Sequence, residues 1–283
     1  MLSYRHAFHA GNPADVLKHL VWIQVLDYYT QKDKPFMVLD THAGAGMYLI
    51  ESTMARKTGE WSTGIGKLWE QADEDLPESV QRYRQVVKAA NASPALKHYP
   101  GSPWISGYCT RHADPLRFFE RHSTDAPLLA QALRFVQKRT QSNVADGLAG
   151  LKALMPPPQR RAAVLIDPSY EDKTDYGKVV ASLRDVVQRF ATGTYVLWYP
   201  ILARREAVEL ADRLVKLDLP SWLHVTLSTQ PPATDGLGMT GSGLFIVNPP
   251  WTLPQTLEET LPWLSDTLGE PGNAGFTLDW QIP

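Results

Sequence analysis

Asp167, Pro168, Ser169 and Tyr170 place a carboxylate, a rigid ring, a hydroxyl and an aromatic face in four consecutive positions. They follow Ala162-Ala163-Val164-Leu165-Ile166, an apolar run that predicts a strand buried on both faces. Asp167 then stands at the strand's carboxyl end, where open α/β sheets place their ligands. There a carboxylate and the Pro168 carbonyl could accept the two hydrogens of an amino group, and Tyr170 could stack on a planar ring. Asp-Pro at a strand-to-loop junction is also common punctuation. The four residues alone therefore leave a purely structural role open.

The elements that must position this group come from the rest of the chain. Pro13 opens a helix with Val16, Leu17, Leu20, Val21, Ile23 and Val25 on helical spacings and Lys18 and His19 near its middle. A helical histidine is more often a satisfied structural residue than a ligand. Phe36 to Asp40 is a second buried strand, running into Thr41-His42-Ala43-Gly44-Ala45-Gly46. Glycines there allow close backbone approach to a ligand, and a helix start after them would favour negative charge. The full dinucleotide fingerprint fails, because Leu49 stands where its third glycine belongs. Residues 47–100 predict a small helical insertion within a single domain spanning 1–283, with helices over Gly64–Trp69 and Glu78–Ala90. Tyr99 to Trp104 closes it with turn chemistry, in which Ser102 would serve as a helix cap.

Alternation of strands and helices resumes at Pro115. Leu116–Glu120, Asn143–Gly147, Gly193–Pro200, Trp222–Leu227 and Gly243–Val247 read as strands or strand ends. Helices are expected over Leu128–Phe135, Val179–Phe190, Glu206–Leu217 and Leu257–Leu264. Pro231 to Gly241, between the last two strands, is long enough for a mobile loop. Asp40, Glu120, Asp146 and Asp167 each end a predicted strand, so a parallel sheet would line all four along its ligand edge. One acid accepting from ribose hydroxyls and another from an adenine amino group would seat an adenosyl cofactor. The fold class expected is α/β, a Rossmann-like S-adenosylmethionine-dependent methyltransferase sheet carrying the helical insertion.

Composition narrows the alternatives. A net charge of −2 carries no global footprint of nucleic-acid binding, although a local basic patch can coexist with it. The single cysteine, Cys109, excludes an internal disulfide framework and a cysteine-based zinc site, and no metal site is expected. The amino terminus lacks an apolar h-region, and no run of about 18 apolar residues could span a bilayer. A cytoplasmic protein without membrane contact is expected.

The sequence resembles the bacterial 23S rRNA adenine-N6 methyltransferases of the RlmJ family. The matching segments include Leu2–Asn12, Asp15–His19, Asp40–Gly46, Tyr99–Pro103, Ala191–Tyr195, Leu197–Pro200 and Asn248–Trp251, spread over nearly the whole chain. The tetrapeptide at Asp167 is similar to the Asp-Pro-Pro-Tyr signature of enzymes that methylate exocyclic amino groups of nucleobases. The resemblance implies S-adenosylmethionine as methyl donor and N6-methyladenine in 23S rRNA as product, at the nucleotide the family's usual naming numbers 2030. It assigns cofactor contacts to His19, His42, Ser102, Glu120, Asp146 and Gly147, with Lys18 and the Gly44–Gly46 turn beside them. Glu120 would accept from the ribose and Asp146 would face the adenine amino group. Asp167 would be the catalytic acceptor, and Tyr4, His6, Pro168 and Tyr170 would contact the substrate. The partner implied is 23S rRNA, free or in an early assembly intermediate, with the protein a monomer.

Ser169 departs from the family by replacing its second proline, which loses a fixed φ and implies a less rigid base clamp with activity retained. Two readings compete with rRNA methylation. A DNA adenine-N6 methyltransferase shares the tetrapeptide, and a non-catalytic RNA-binding protein could keep the sheet. A nicotinamide dehydrogenase is disfavoured by the broken glycine fingerprint. Arg134, Lys138, Arg139, Arg160, Arg161, Arg204 and Arg205 are candidates for the RNA-facing surface.

Overall fold

The computed structural model describes residues 5–231 and 238–283. Helix α1 (Pro13–Thr30) starts where Asn12 accepts from the Asp15 N–H at 2.9 Å and Pro13 takes the first turn. It is buried nearly all round, which explains why its apolar residues do not fall on one stripe. Strand β1 (Met37–Asp40) follows. The chain then leaves the sheet through β2 (Met47–Leu49), α2 (Thr53–Thr58), α3 (Ile65–Trp69) and α4 (Glu78–Ala89), and returns through β3 (His98–Pro100).

Strands β2 and β3 pair only with each other, Tyr48 opposite Tyr99, so the helices of 47–100 hang from a two-stranded ribbon. The helical stretch expected after Gly46 is therefore a strand instead. Gly44 and Gly46 both have positive φ, +61° and +75°, and the Tyr48 hydroxyl folds back to accept the Ala45 N–H at 3.2 Å. The Gly101 N–H closes the ribbon on the Gly46 carbonyl at 3.0 Å.

Beyond the insertion come α5 (Ser102–Cys109), β4 (Leu116–Phe119), α6 (Asp125–Ala132), β5 (Thr140–Asn143), α7 (Gly147–Leu154), β6 (Ala162–Ile166), α8 (Asp175–Arg189) and β7 (Thr194–Ile201). The chain ends with α9 (Arg205–Val215), β8 (Trp222–Ser228), β9 (Gly241–Val247), α10 (Leu253–Leu268) and β10 (Gly275–Gln281). The last strand was not expected from the sequence; it pairs antiparallel with β8 at the sheet edge, mostly exposed. Residues 232–237 of the expected Pro231–Gly241 loop lie outside the described residues.

Among the described residues one sheet runs β10-β8-β9-β7-β6-β1-β4-β5. Strands β5, β4, β1, β6 and β7 are parallel, and β9 is antiparallel to both β7 and β8. Two-residue periodicity divides the core. Val38, Ala163 and Leu165 pack with α1 and α10, whereas Met37, Leu39, Val164 and Ile166 pack with α8 and α9. Helices thus cover both faces, which is why β1 and β6 read as unbroken apolar runs. From β1 the chain adds strands outward to β5 on one side and to β7 on the other. The order reverses between β1 and β6, so Asp40 and Asp167 flank the crevice where such sheets bind ligands.

Candidate active site

A cleft of about 980 Å³ opens over this reversal point, at the upper end of the roughly 300–1,000 Å³ common for small-molecule and cofactor sites. Its wall holds His6, Lys18, His19, His42, Gly44, Ser102, Glu120, Asp146, Asp167, Pro168 and Tyr170. Gly147 lies behind the wall. A β-carbon there would fall onto the Thr41 carbonyl oxygen, so glycine lets α7 start directly against the end of β1. Tyr4 lies outside the described residues.

Lys18 projects from α1 to Asp167, donating from Nζ to Oδ2 at 2.6 Å, and sits 2.8 Å from Asp15 Oδ1. Asp15 also accepts from the Gly11 N–H at 2.9 Å and stands 2.8 Å from His6 Nε2. Burial alone would raise the Asp15 carboxyl, but His6, Lys18 and His19 hold it well below the usual carboxylate range. Burial works against the Lys18 charge, and the two carboxylates more than reverse that, keeping it protonated. Burial pushes the Asp167 carboxyl up, with Lys18 opposing.

On the other side of the cleft, Asp40 is fully buried and accepts from Ser102 Oγ at 2.6 Å and from the His42 N–H at 3.0 Å. Burial still pushes its carboxyl up to about 7. Ser102 is therefore no helix cap: the cap residue of α5 is Gly101, and the serine hydroxyl is spent on Asp40. Glu120 follows β4 and accepts from the Gly44 N–H at 2.7 Å and the His122 N–H at 2.6 Å, one on each oxygen. Asp146 lies three residues past the end of β5 and caps α7, accepting from the Ala149 N–H at 3.0 Å. His19 is buried with Nδ1 2.7 Å from the Tyr99 hydroxyl, and His42 Nδ1 is 2.7 Å from Thr41 Oγ1. Burial lowers the two imidazoles to about 3 and about 4, so both are neutral at pH 7.

Tyr170 has φ +54° and is 2% exposed. Its hydroxyl donates to the Trp198 carbonyl at 2.8 Å, and its ring lies 4.6 Å from Tyr176. Trp198 adds a second aromatic, with Lys18 Nζ 5.4 Å from its ring centre. Asp15 and Trp198 were not singled out from sequence. An acid in a first helical turn reads as a partner of the helix dipole, and an aromatic in a buried strand reads as core.

A parallel sheet whose order reverses between β1 and β6, with antiparallel β9 between β7 and β8 and carboxylates at its ligand edge, defines a Rossmann-like methyltransferase. Within that class the chain belongs to the RlmJ family: the model for ribosomal RNA large subunit methyltransferase D, RlmJ, matches residues 33–282. It is 44% identical over 283 residues to the Escherichia coli strain K12 protein named ribosomal RNA large subunit methyltransferase J, covering 100% of both chains. The Haemophilus influenzae protein of the same name is 41% identical over 284 residues, again with 100% of both chains covered. A crystal structure of a Legionella pneumophila protein superposes with a TM-score of 0.88 at 34% identity, covering 96% of this chain and 98% of that one. Among the described residues, no helix is long and apolar enough to cross a membrane.

Proposed function

We propose that this protein transfers a methyl group from S-adenosylmethionine to the exocyclic N6 amino group of an adenine in 23S rRNA. The observation that carries the reading is Asp167, fixed at the carboxyl end of β6 by Lys18 inside the cleft. The names of the two curated relatives support ribosomal RNA as substrate. The tetrapeptide's likeness to amino-methylating enzymes supports N6.

The residues present fit the cofactor. Glu120 has both oxygens oriented by backbone N–H groups, leaving lone pairs for ribose hydroxyls. Asp146, exposed in the cleft wall and 3.5 Å from Arg121, is available to an adenine amino group. Neutral histidines and several carboxylates suit a cationic sulfonium. Bound there, S-adenosylmethionine supplies an electrophilic methyl group.

An exocyclic adenine amine is a poor nucleophile because its lone pair is delocalised into the ring. Asp167 and the Pro168 carbonyl accept its two hydrogens, drawing the nitrogen towards sp3 and aiming the lone pair. An ordinary Asp, at about 3.9, cannot deprotonate a neutral amine. It stabilises the developing ammonium and takes its proton after transfer, and the upward push from burial makes Asp167 a better acceptor. Trp198, half-buried in the cleft wall, offers aromatic surface to an extruded base, with the buried Tyr170 ring packed beside it.

Tritium transfer from labelled cofactor to protein-free 23S rRNA, compared with duplex DNA, tests the substrate. Incorporation into the RNA is expected. Preference for DNA would favour the alternative methyltransferase, and absent cofactor binding by calorimetry would favour a non-catalytic RNA-binding protein.

A further inference from the structure

The chain carries 28 basic and 30 acidic residues, yet residues 102–113 and 126–145 contain no carboxylate. These stretches supply α5, most of α6 and the turn Arg134–Arg139 that follows it. They meet in an aromatic cluster. Trp104 and Tyr108, one turn apart on α5, stack at 5.2 Å with planes 9° apart, and Phe135 lies 5.6 Å from Trp104. Phe135 is 53% and Tyr108 42% exposed. The cluster is held in place rather than loosely draped. Arg139 donates to the Gly107, Thr110 and Asp114 carbonyls at 2.6, 3.2 and 2.9 Å, tying the turn to α5. Gly107 leaves room for the Phe135 ring, which a β-carbon would approach to 2.9 Å.

Of the cations expected to face RNA, several are committed elsewhere. Arg139 holds the turn, Arg161 donates to Lys34 and Tyr29 carbonyls, and Arg205 pairs with Glu209 at 2.6 Å. Arg134 and Lys138 flank Phe135, are exposed, and have no ion-pair partner among the described residues. The cluster is also tied to the cleft. Ser102, at the start of α5, and Asp125, at the start of α6, both line it. Tyr108 lies six residues along α5 from Ser102, about 9 Å at 1.5 Å per residue.

We infer that this surface binds single-stranded RNA flanking the methylated nucleotide, with bases stacked on Tyr108 and Phe135 and phosphates on Arg134 and Lys138. The inference rests on the proposed rRNA substrate. Exposed aromatic faces beside unpaired cations are what sequence-tolerant single-strand binding uses. Stretches without carboxylates suit a polyanion, whereas protein interfaces are depleted of lysine.

The test compares wild type with Phe135→Ala, Phe135→Tyr and the double change Arg134→Gln with Lys138→Gln, using a 23S rRNA transcript. Phe135→Ala is expected to raise KM for RNA about ten-fold, with kcat and cofactor affinity unchanged, and Phe135→Tyr to restore it. The double variant is expected to flatten the log–log salt dependence of RNA binding by about 1.5. Unchanged KM and salt slope would overturn the inference. So would a wild-type dimer, seen by sedimentation, that Phe135→Ala dissociates, or a melting-temperature loss that accounts for the KM change. If wild type transfers no methyl to rRNA, the functional reading fails. Anisotropy of a labelled transcript with the same variants still decides whether this surface binds RNA.

Discussion

Lys18 Nζ donates to Asp167 Oδ2 at 2.6 Å, joining the middle of α1 to the end of β6 across 149 positions of sequence. The same ammonium lies 2.8 Å from Asp15 Oδ1, so one buried cation serves two carboxylates. Side-chain exposure is 4% for Lys18, 1% for Asp15 and 14% for Asp167. The aspartate that would accept the proton is thereby held by a residue from a different layer of the fold.

Removing that cation takes the ion pair from Asp167 and leaves Asp15 with His6 and the Gly11 N–H. Lys18→Met is expected to cost about 3–5 kcal/mol of stability, the range for breaking a buried ion pair from one side. Urea denaturation measures it, and methyl transfer should fall as Asp167 loses its orientation. A change below about 1 kcal/mol would mean that the pair is not held as described.

Asp40 sets a pH dependence of opposite sign to an acid whose carboxyl a salt bridge lowers. Its folded carboxyl, at about 7, lies above the value of about 3.9 for an unperturbed aspartate. The folded state therefore binds a proton more tightly, and stability falls as pH rises from about 4 through 7. Asp40→Asn should be more stable than wild type at pH 8, with the difference shrinking towards pH 4. Melting curves across that range check it, and a gap independent of pH would contradict it.

Gly147 is a steric requirement where it stands. Gly147→Ala drives a methyl group into the Thr41 carbonyl, where neither backbone can yield freely. A loss of about 1–3 kcal/mol is expected, as for other overpacked sites, together with weaker cofactor binding because α7 carries Asp146. Thermal denaturation and calorimetry read the two effects separately.

Ser169 stands where the similar Asp-Pro-Pro-Tyr signature has its second proline. Ser169→Pro should stabilise the protein by up to about 1 kcal/mol through the unfolded chain, with turnover close to wild type. Tyr170 is already held by its hydrogen bond to the Trp198 carbonyl and its packing on Tyr176. A large gain in kcat would show instead that the serine loosens the base clamp.

Much of the sheet was legible because its central strands are short apolar runs ending in acids. Asp40, Glu120 and Asp167 could be placed along one edge from that pattern and the rule for parallel sheets. The strand β2 was not, because three residues after two glycines carry no usable periodicity. Its pairing with β3 depends on a partner about fifty positions away. Strand β10 was hidden for a related reason: an exposed edge strand lacks the buried alternation that identifies its neighbours. Ser102 shows a subtler limit. Its type and position suit a cap, and only the buried Asp40 carboxylate beside it shows where the hydroxyl is spent. Lys18, His19 and Asp15 share one helix with core leucines and valines, so their meeting with Asp167 and Tyr99 appears only once α1 is packed on the sheet.

The central claim is that Asp167 accepts the proton of the methylated amine. Tritium transfer from S-adenosylmethionine to protein-free 23S rRNA, with wild type and Asp167→Ala assayed side by side, tests it most directly. Asp167→Ala should still bind the cofactor by calorimetry and lose methyl transfer. Turnover equal to wild type would contradict the account.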